Sequence, residues 1–243
     1  MKKYLFSMVL LLGFVFGEMA DQSFLSIKED QFVNPDMAVV EFVNGLKISS
    51  LEKIFSTCAI NKISELYDFR KFCLRLDAFS PQTWRAPSIN PMYIGLNKID
   101  AMNNIARQLK ILTYSLLFDP NFDLSTKGPF DEVEIQKTLN ELNVDRLKNI
   151  EYIRSDFSVK RFEKNERYLK NSKDQAAPLG AEDSTERLVL IKFENSYYAF
   201  GIHLLKYNGF WKINILSSPL VGTDISGKVQ KITLNDYNNL LNS

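Results

Sequence analysis

The sequence predicts an α+β domain in which a helical region, about residues 34–142, packs on a C-terminal antiparallel β-meander. Three observations support this prediction. Apolar residues recur at helical spacing up to residue 142, runs of β-branched and aromatic residues dominate after residue 186, and Asn208-Gly209 separates two of those runs. Asn-Gly is a strong hairpin signal, because a type I′ turn needs φ > 0 at both central residues. We therefore expect a curved sheet with the helices on its concave face.

The first 17 residues are typical of a secretory signal peptide. The apolar run Tyr4–Phe16 follows two lysines and precedes Gly17, a small residue that suits a cleavage site. This run is short for a membrane span, so after cleavage we expect no stable membrane span and a secreted or periplasmic protein. The alternative is that the segment remains as an uncleaved anchor. Residues 18–33 follow as an N-terminal arm.

Residues 34–243 are predicted to form a single domain, with a helical part at residues 34–148 and a sheet part at residues 149–243. Within the sheet part, residues 170–186 contain Pro, Gly and many polar residues but only one large apolar residue, Leu179. This composition predicts an exposed, mobile loop. The meander follows it, with strands predicted at Leu188–Phe193, Tyr197–Tyr207 and Phe210–Leu216.

The helical part begins at Asn34-Pro35, where Asn suits the N-cap and Pro the first helical position. Apolar spacing predicts a helix over Ile60–Leu76 and a longer one over Gly95–Phe118. Between them, residues 78–91 hold three prolines and predict a loop. Trp84 in this loop either lines a ligand site or fixes the loop on the core.

Two cysteines, Cys58 and Cys73, would face an oxidising compartment after export, and a disulfide is therefore one hypothesis. If Ile60–Leu76 is one continuous helix, Cys73 lies roughly 20 Å from its start at about 1.5 Å per residue. Bridged Cα atoms lie within about 7 Å. Two separate buried thiols are the alternative that this geometry favours.

The single histidine, His203, lies in the second predicted meander strand. If its face of the strand lines a pocket, His203 would be placed to act as a general base, with Asp156 or Tyr152 nearby. The alternative is a partly exposed strand histidine opposite a packed face. One histidine and two poorly spaced cysteines do not predict a metal site, and no cofactor-binding or nucleophile motif is present.

The charge pattern does not indicate nucleic-acid binding. The formal net charge of the whole chain is +1, and the basic clusters are interleaved with glutamates. Such clusters are typical of a solvated surface of mixed sign rather than of a phosphate-binding patch.

The last hairpin resembles that of the NTF2-like superfamily, a cystatin-like α+β group. The residues that carry the resemblance are Asn208, Gly209, Trp211, Lys212 and Ile213, together with an early helix over Pro35–Leu46 followed by the segment SSLEKIFSTCA. The resemblance implies a cone-shaped cavity between helix and sheet. Members use that cavity for small-ligand binding, for isomerase or dehydratase chemistry, or for protein interaction.

The leading hypothesis is an exported, non-enzymatic cell-envelope protein that binds an apolar small molecule or an envelope protein. Tyr152, His203 and Trp84 are its candidate ligand-binding residues. The alternative is an NTF2-like enzyme of the isomerase, dehydratase or hydrolase type, with His203 and a carboxylate such as Asp156 in a cavity. A third hypothesis is a partner-binding module whose loop at residues 170–186 becomes ordered on contact.

Overall fold

The computed structural model describes residues 27–79, 85–118, 131–158, 160–217 and 219–242. The eight helices of this part are α1 Pro35–Lys47, α2 Leu51–Ser56, α3 Ile60–Leu66, α4 Phe69–Leu76, α5 Pro91–Leu117, α6 Glu132–Glu141, α7 Glu166–Ala176 and α8 Leu234–Asn242. The strands are β1 Ile150–Phe157, β2 Asp183–Phe193, β3 Ser196–Tyr207, β4 Phe210–Ser217 and β5 Gln230–Ile232. The signal-like segment, most of the arm, and Trp84 lie outside the described residues.

The five strands form one antiparallel sheet in the order β1-β2-β3-β4, and β5 pairs with the start of β3 beside β4. The predicted α+β class, with helices first and the meander after them, is confirmed. Asn208 and Gly209 have φ of 50° and 82° and connect β3 to β4, as the hairpin signal predicted. The first hairpin turns at Glu194-Asn195, and β3 begins at Ser196, one residue earlier than predicted, because Phe193 pairs directly with Ser196.

One face of the sheet, here called the first face, packs against α1 and α5. Their side chains form one continuous apolar core with those of the strands. Its fully buried members include Phe42, Leu46, Leu112, Val189, Ile191, Phe200, Ile202, Leu204 and Ile213. The apolar stripe of α5 contributes Ile105, Leu109, Leu112 and Leu116 to this core. Burial of this core is the main source of folding free energy.

The opposite face, here called the second face, is covered by shorter elements. Tyr237 and Leu241 of α8 pack on Leu188, Leu190 and Ala199 in one small cluster. A separate cluster joins Leu205 and Tyr207 to Ala59, Ile63 and Ala176. Between the two clusters, β3 presents Gly201 and His203, so this face is apolar at both ends and polar in the middle.

The predicted continuous helix over residues 60–76 is two helices in the structure. Tyr67 leaves the helical conformation with ψ 121°, and the Asp68 side chain accepts a hydrogen bond from the Lys71 N–H to begin α4. An N-cap aspartate offers the backbone an alternative to continuing the first helix.

Cys58 is buried and Cys73 is partly buried, and neither thiol is in a disulfide. Burial raises the pKa of the Cys58 thiol to about 12.

The prediction of a mobile loop over residues 170–186 is wrong. Helix α7 occupies Glu166–Ala176, capped by Asn165, whose side chain accepts from the Tyr168 N–H. A short 3-10 turn follows over Ala177–Leu179, and β2 already begins at Asp183. The helix buries only small residues, Ser172 and Ala176, and therefore gave no large-apolar periodicity.

The outer edge of β4 is covered by two segments from the N-terminal part of the chain. Phe32 accepts a backbone hydrogen bond from Trp211, and Thr57 accepts one from Ile213. Beside them, the Lys212 ammonium lies 3.2 Å from the Glu29 carboxylate, with 3% and 6% of the two side chains exposed. A buried ion pair needs such close partners because its desolvation is costly.

Candidate functional site

His203 lies on the second face of the sheet, opposite Glu186 on β2 and Ile215 on β4. Its Nδ1 is 3.0 Å from the side-chain nitrogen of Asn214, the extra residue of a bulge in β4. Burial lowers the pKa of His203 to about 4, so the imidazole is neutral at pH 7. A neutral, hydrogen-bonded histidine agrees with a structural role in the polar middle of this face.

Asp156 is on the same face but two strands away, because β2 lies between β1 and β3. Its carboxylate accepts a 3.0 Å hydrogen bond from the Tyr237 hydroxyl and lies 3.1 Å from Nε of Arg154. The structure therefore does not bring Asp156 and His203 together as an acid–base pair. Each side chain is held by its own neighbours.

Tyr152 points to the first face, away from His203. Its hydroxyl is 2.9 Å from Oγ of Ser155, which donates a 2.6 Å hydrogen bond to Asp36 in the first turn of α1. The same carboxylate accepts from Nε of Arg187 at 2.9 Å. These hydrogen bonds connect the start of α1 to the sheet. Burial raises the pKa of the Tyr152 hydroxyl. Tyr152 and His203 consequently do not line a common site.

The cavity that the family resemblance implies between helices and sheet is almost filled. Among the described residues, a void of about 10 Å³ lies there, lined by apolar residues that include Cys58, Ile105 and Ile213 and by the polar residues Asn104 and Asn214. Such a void has room for about one water molecule. An apolar small molecule does not fit there without movement of the core.

A larger cleft, of about 430 Å³, opens at the end of α3 and along α5. Its walls include Tyr67, Arg85, Asp100, Asn104 and Arg107. Among the described residues, neither the Tyr67 hydroxyl nor Nε of Arg85 has a hydrogen-bond partner, although both atoms are buried. Sequence reasoning missed this site because three separated segments form it and no motif marks them.

The first turns of α5 expose a stripe of three apolar residues, Met92, Leu96 and Ile99. Their exposed fractions are 65%, 51% and 44%. The spacing of four and three residues places them on one side of the helix. Leu96 and Ile99 continue the helical spacing of Ile105, Leu109, Leu112 and Leu116, but the structure buries this stripe only from about Ile105 onward.

Two further findings concern metals and membranes. In the described ranges, no three His, Cys, Asp or Glu side chains come close enough together to hold a metal ion. Of the helices in the same ranges, none has the length and apolarity needed to cross a membrane.

The order and packing of the helices and strands define an α+β fold, and a comparison with solved structures supports a cystatin-like architecture. The solved structure of a cystatin-like protein from Ruminococcus gnavus ATCC 29149 is similar to it, with a TM-score of 0.53 and 18% sequence identity. The match covers 81% of this chain and 44% of that protein, so this chain spans less than half of its length. At this identity the likeness concerns the fold. No protein-family model matches the chain, and no curated protein does.

Proposed function

We propose that the chain is an exported, non-enzymatic cell-envelope protein that binds a protein partner through the stripe Met92, Leu96 and Ile99. The observation that carries the proposal is the exposure of these apolar side chains on one side of a long, well-anchored helix. Contiguous exposed apolar surface of this kind is typical of interaction sites. A helical apolar face suits a groove or a second helix on the partner.

The packing of the sheet favours a protein partner over an apolar small molecule. Helices α1 and α5 fill the first face, and α8 with the end of α7 covers much of the second. The void between helices and sheet is about 10 Å³, far below the few hundred Å³ of ordinary ligand pockets. An apolar surface that is open to a partner lies instead on the outside of α5.

Two finer proposals accompany the binding role. Export rests on the signal-like pattern of residues 1–17. Membership of the NTF2-like superfamily rests on the hairpin with Asn208, Gly209, Trp211 and Lys212, and the cystatin-like likeness supports it.

Site-specific photo-crosslinking in intact host cells tests the partner surface. A photoreactive amino acid replaces Leu96 in one strain and Leu139 of α6 in the control strain. Leu139 is a matched position, since it is also a helical leucine and is 57% exposed. We expect a discrete crosslinked species from position 96 that is absent or weak from position 139. Adding Ile99→Asp should reduce that species at least about tenfold, as charge burial in an interface core does.

Equal products from both positions, or none from position 96, would overturn the proposed partner surface.

The export proposal has a separate test. The protein isolated from the envelope or medium should begin at Glu18. An intact N-terminus on protein found inside the cell would remove the export proposal. A lipid that co-purifies in native mass spectrometry would replace the protein partner with an apolar ligand.

A further inference from the structure

We propose that the cleft between Tyr67, Arg85 and Arg107 binds a small organic anion through a carboxylate or phosphate group. The site is distinct from the apolar stripe, because none of its side chains belongs to that stripe. It therefore goes beyond the proposed function, and the two proposals can fail separately.

The charges that line the cleft favour an oxyanion. Arg85 and Arg107 supply two guanidinium groups, while Asp100 supplies one carboxylate. Guanidinium groups present several N–H donors in a planar fork that matches the oxygens of a carboxylate or phosphate. Neither arginine has an ion-pair partner among the described residues. Among the described residues the lining therefore carries more positive than negative charge, and an anion would balance it.

Tyr67 provides an independent indication of a missing acceptor. Its side chain is 4% exposed, its ring packs on Phe72 with centroids 5.6 Å apart, and its hydroxyl has no described partner. Burial raises the pKa of Tyr67 to about 12, so the hydroxyl remains a donor at neutral pH. A buried donor without an acceptor is costly. An anion oxygen would satisfy it together with Nε of Arg85.

Neighbouring contacts hold the backbone beside Arg85 and the side chain of Arg107. The residue after Arg85 is fixed to α5 by a pair of hydrogen bonds, in which the Ala86 N–H donates to Asn97 and the Asn97 amide donates to the Ala86 carbonyl, at 2.9 and 2.8 Å. Asn97 is itself almost fully buried. Arg107 donates to Oδ1 of Asn104 at 3.0 Å. Such positioning lowers the entropic cost of binding.

The size of the cleft and the position of Asp100 narrow the ligand class. A volume of about 430 Å³ exceeds what a lone inorganic ion fills and matches a small organic molecule. Asp100 would accept from a hydroxyl or ammonium group of the same molecule. Because the Tyr67 hydroxyl and Nε of Arg85 are covered in this conformation, we expect the Arg85 side chain to move when the anion enters.

Calorimetric titration of the protein purified from its host tests the proposal. The probes are acetate, inorganic phosphate, citrate and glutamate, each added at constant ionic strength. We expect saturable binding of at least one probe. Arg85→Gln and Arg107→Gln should each weaken it at least about tenfold, the loss typical of a charge-assisted hydrogen bond. Arg70→Gln is the matched control, because Arg70 is exposed on α4 outside the cleft, and it should change affinity less than about twofold.

Tyr67→Phe separates a ligand-binding role from a packing role. It removes only a hydroxyl that has no described partner, so the thermal midpoint should stay unchanged or rise while affinity falls. Thermal melts of all variants establish that each is folded. The proposal is overturned if no probe binds, if both arginine variants bind as tightly as the native chain, or if Arg70→Gln weakens binding equally. Variants of the apolar stripe should leave anion affinity unchanged.

Discussion

The two faces of the sheet differ in how they are covered, although the same strands supply both. The first face meets two helices in one large apolar core, with the Ser155–Asp36–Arg187 polar network at the start of α1. The second face is divided into two small apolar clusters with Gly201 and His203 between them. On both faces, polar strand residues lie where a covering element offers a hydrogen-bond partner, as Asp36 of α1 does for Ser155 and Tyr237 of α8 does for Asp156. The faces differ in the size of their apolar clusters.

The largest expected difference between the faces is in how much unfolding free energy is lost when a leucine is replaced by alanine and a cavity forms. Leu204 is fully buried on the first face, whereas Leu220 is partly buried and covers Gly201 on the second. Leu204→Ala should lower the free energy of unfolding by about 3–4 kcal/mol and Leu220→Ala by about 1 kcal/mol. Chemical denaturation of the two variants measures both values. Equal losses of unfolding free energy in the two variants would contradict the prediction, because they would mean that both faces stabilise the fold equally.

The second prediction concerns acid stability. The pKa of His203 is about 4 in the folded state and about 6.5 when unfolded, so only the unfolded state binds the proton between these values. The free energy of unfolding therefore falls as pH decreases from 6.5 to 4, by roughly 3 kcal/mol from this group. His203→Gln should flatten that part of the pH profile while keeping an amide near Asn214. Denaturation curves at pH 7, 5.5 and 4.5 test it, and parallel profiles for both proteins would contradict it.

The smallest effect is expected at the contact between α8 and the second face. The Tyr237 hydroxyl is within hydrogen-bond distance of Asp156 Oδ2 and of the Leu188 carbonyl, at 3.0 and 2.7 Å. Tyr237→Phe should cost about 1 kcal/mol, the usual net value of a hydrogen bond. Asp156→Asn, which keeps an acceptor beside Tyr237, should cost less. A larger loss from Asp156→Asn would show that the charge of Asp156, rather than the hydroxyl contact, holds α8.

The parts of the fold that the sequence predicted depend on local signals. Asn208-Gly209 specifies its turn through φ > 0, and Asn34-Pro35 specifies the start of α1 through an N-cap contact with Asp36 at 2.7 Å. The alternation along β3 also predicted correctly that His203 lies opposite the core-facing residues. Each of these signals depends on residues that are close together in the sequence, so it can be recognised without knowledge of the tertiary contacts.

The errors have a different physical origin. The predicted helix over residues 60–76 is interrupted at Tyr67-Asp68. The Asp68 N–H donates to the carbonyl of Pro178, which is distant in sequence, and the Asp68 side chain caps α4. Helix α7 has a polar sequence and is stabilised by docking on β2, where Ser184 donates to the Ser172 carbonyl at 2.9 Å. Tertiary contacts therefore determine both the break before α4 and the formation of α7. The same holds for the cleft at Arg85 and Arg107, whose members meet only in the folded chain.

The covered edge of β4 also has a consequence for how the domain forms. Lys212 donates to the Asp30 carbonyl across 182 residues of sequence, so the edge strand and the segment that covers it are far apart in the sequence. Contacts of such long sequence separation slow folding, because a large loop must close before they form. During synthesis the segment at Glu29–Phe32 has no partner strand until β4 has been synthesised. Completion of the sheet is therefore a late event, and capture of this segment is expected to be one of the last steps that make the domain resistant to proteolysis.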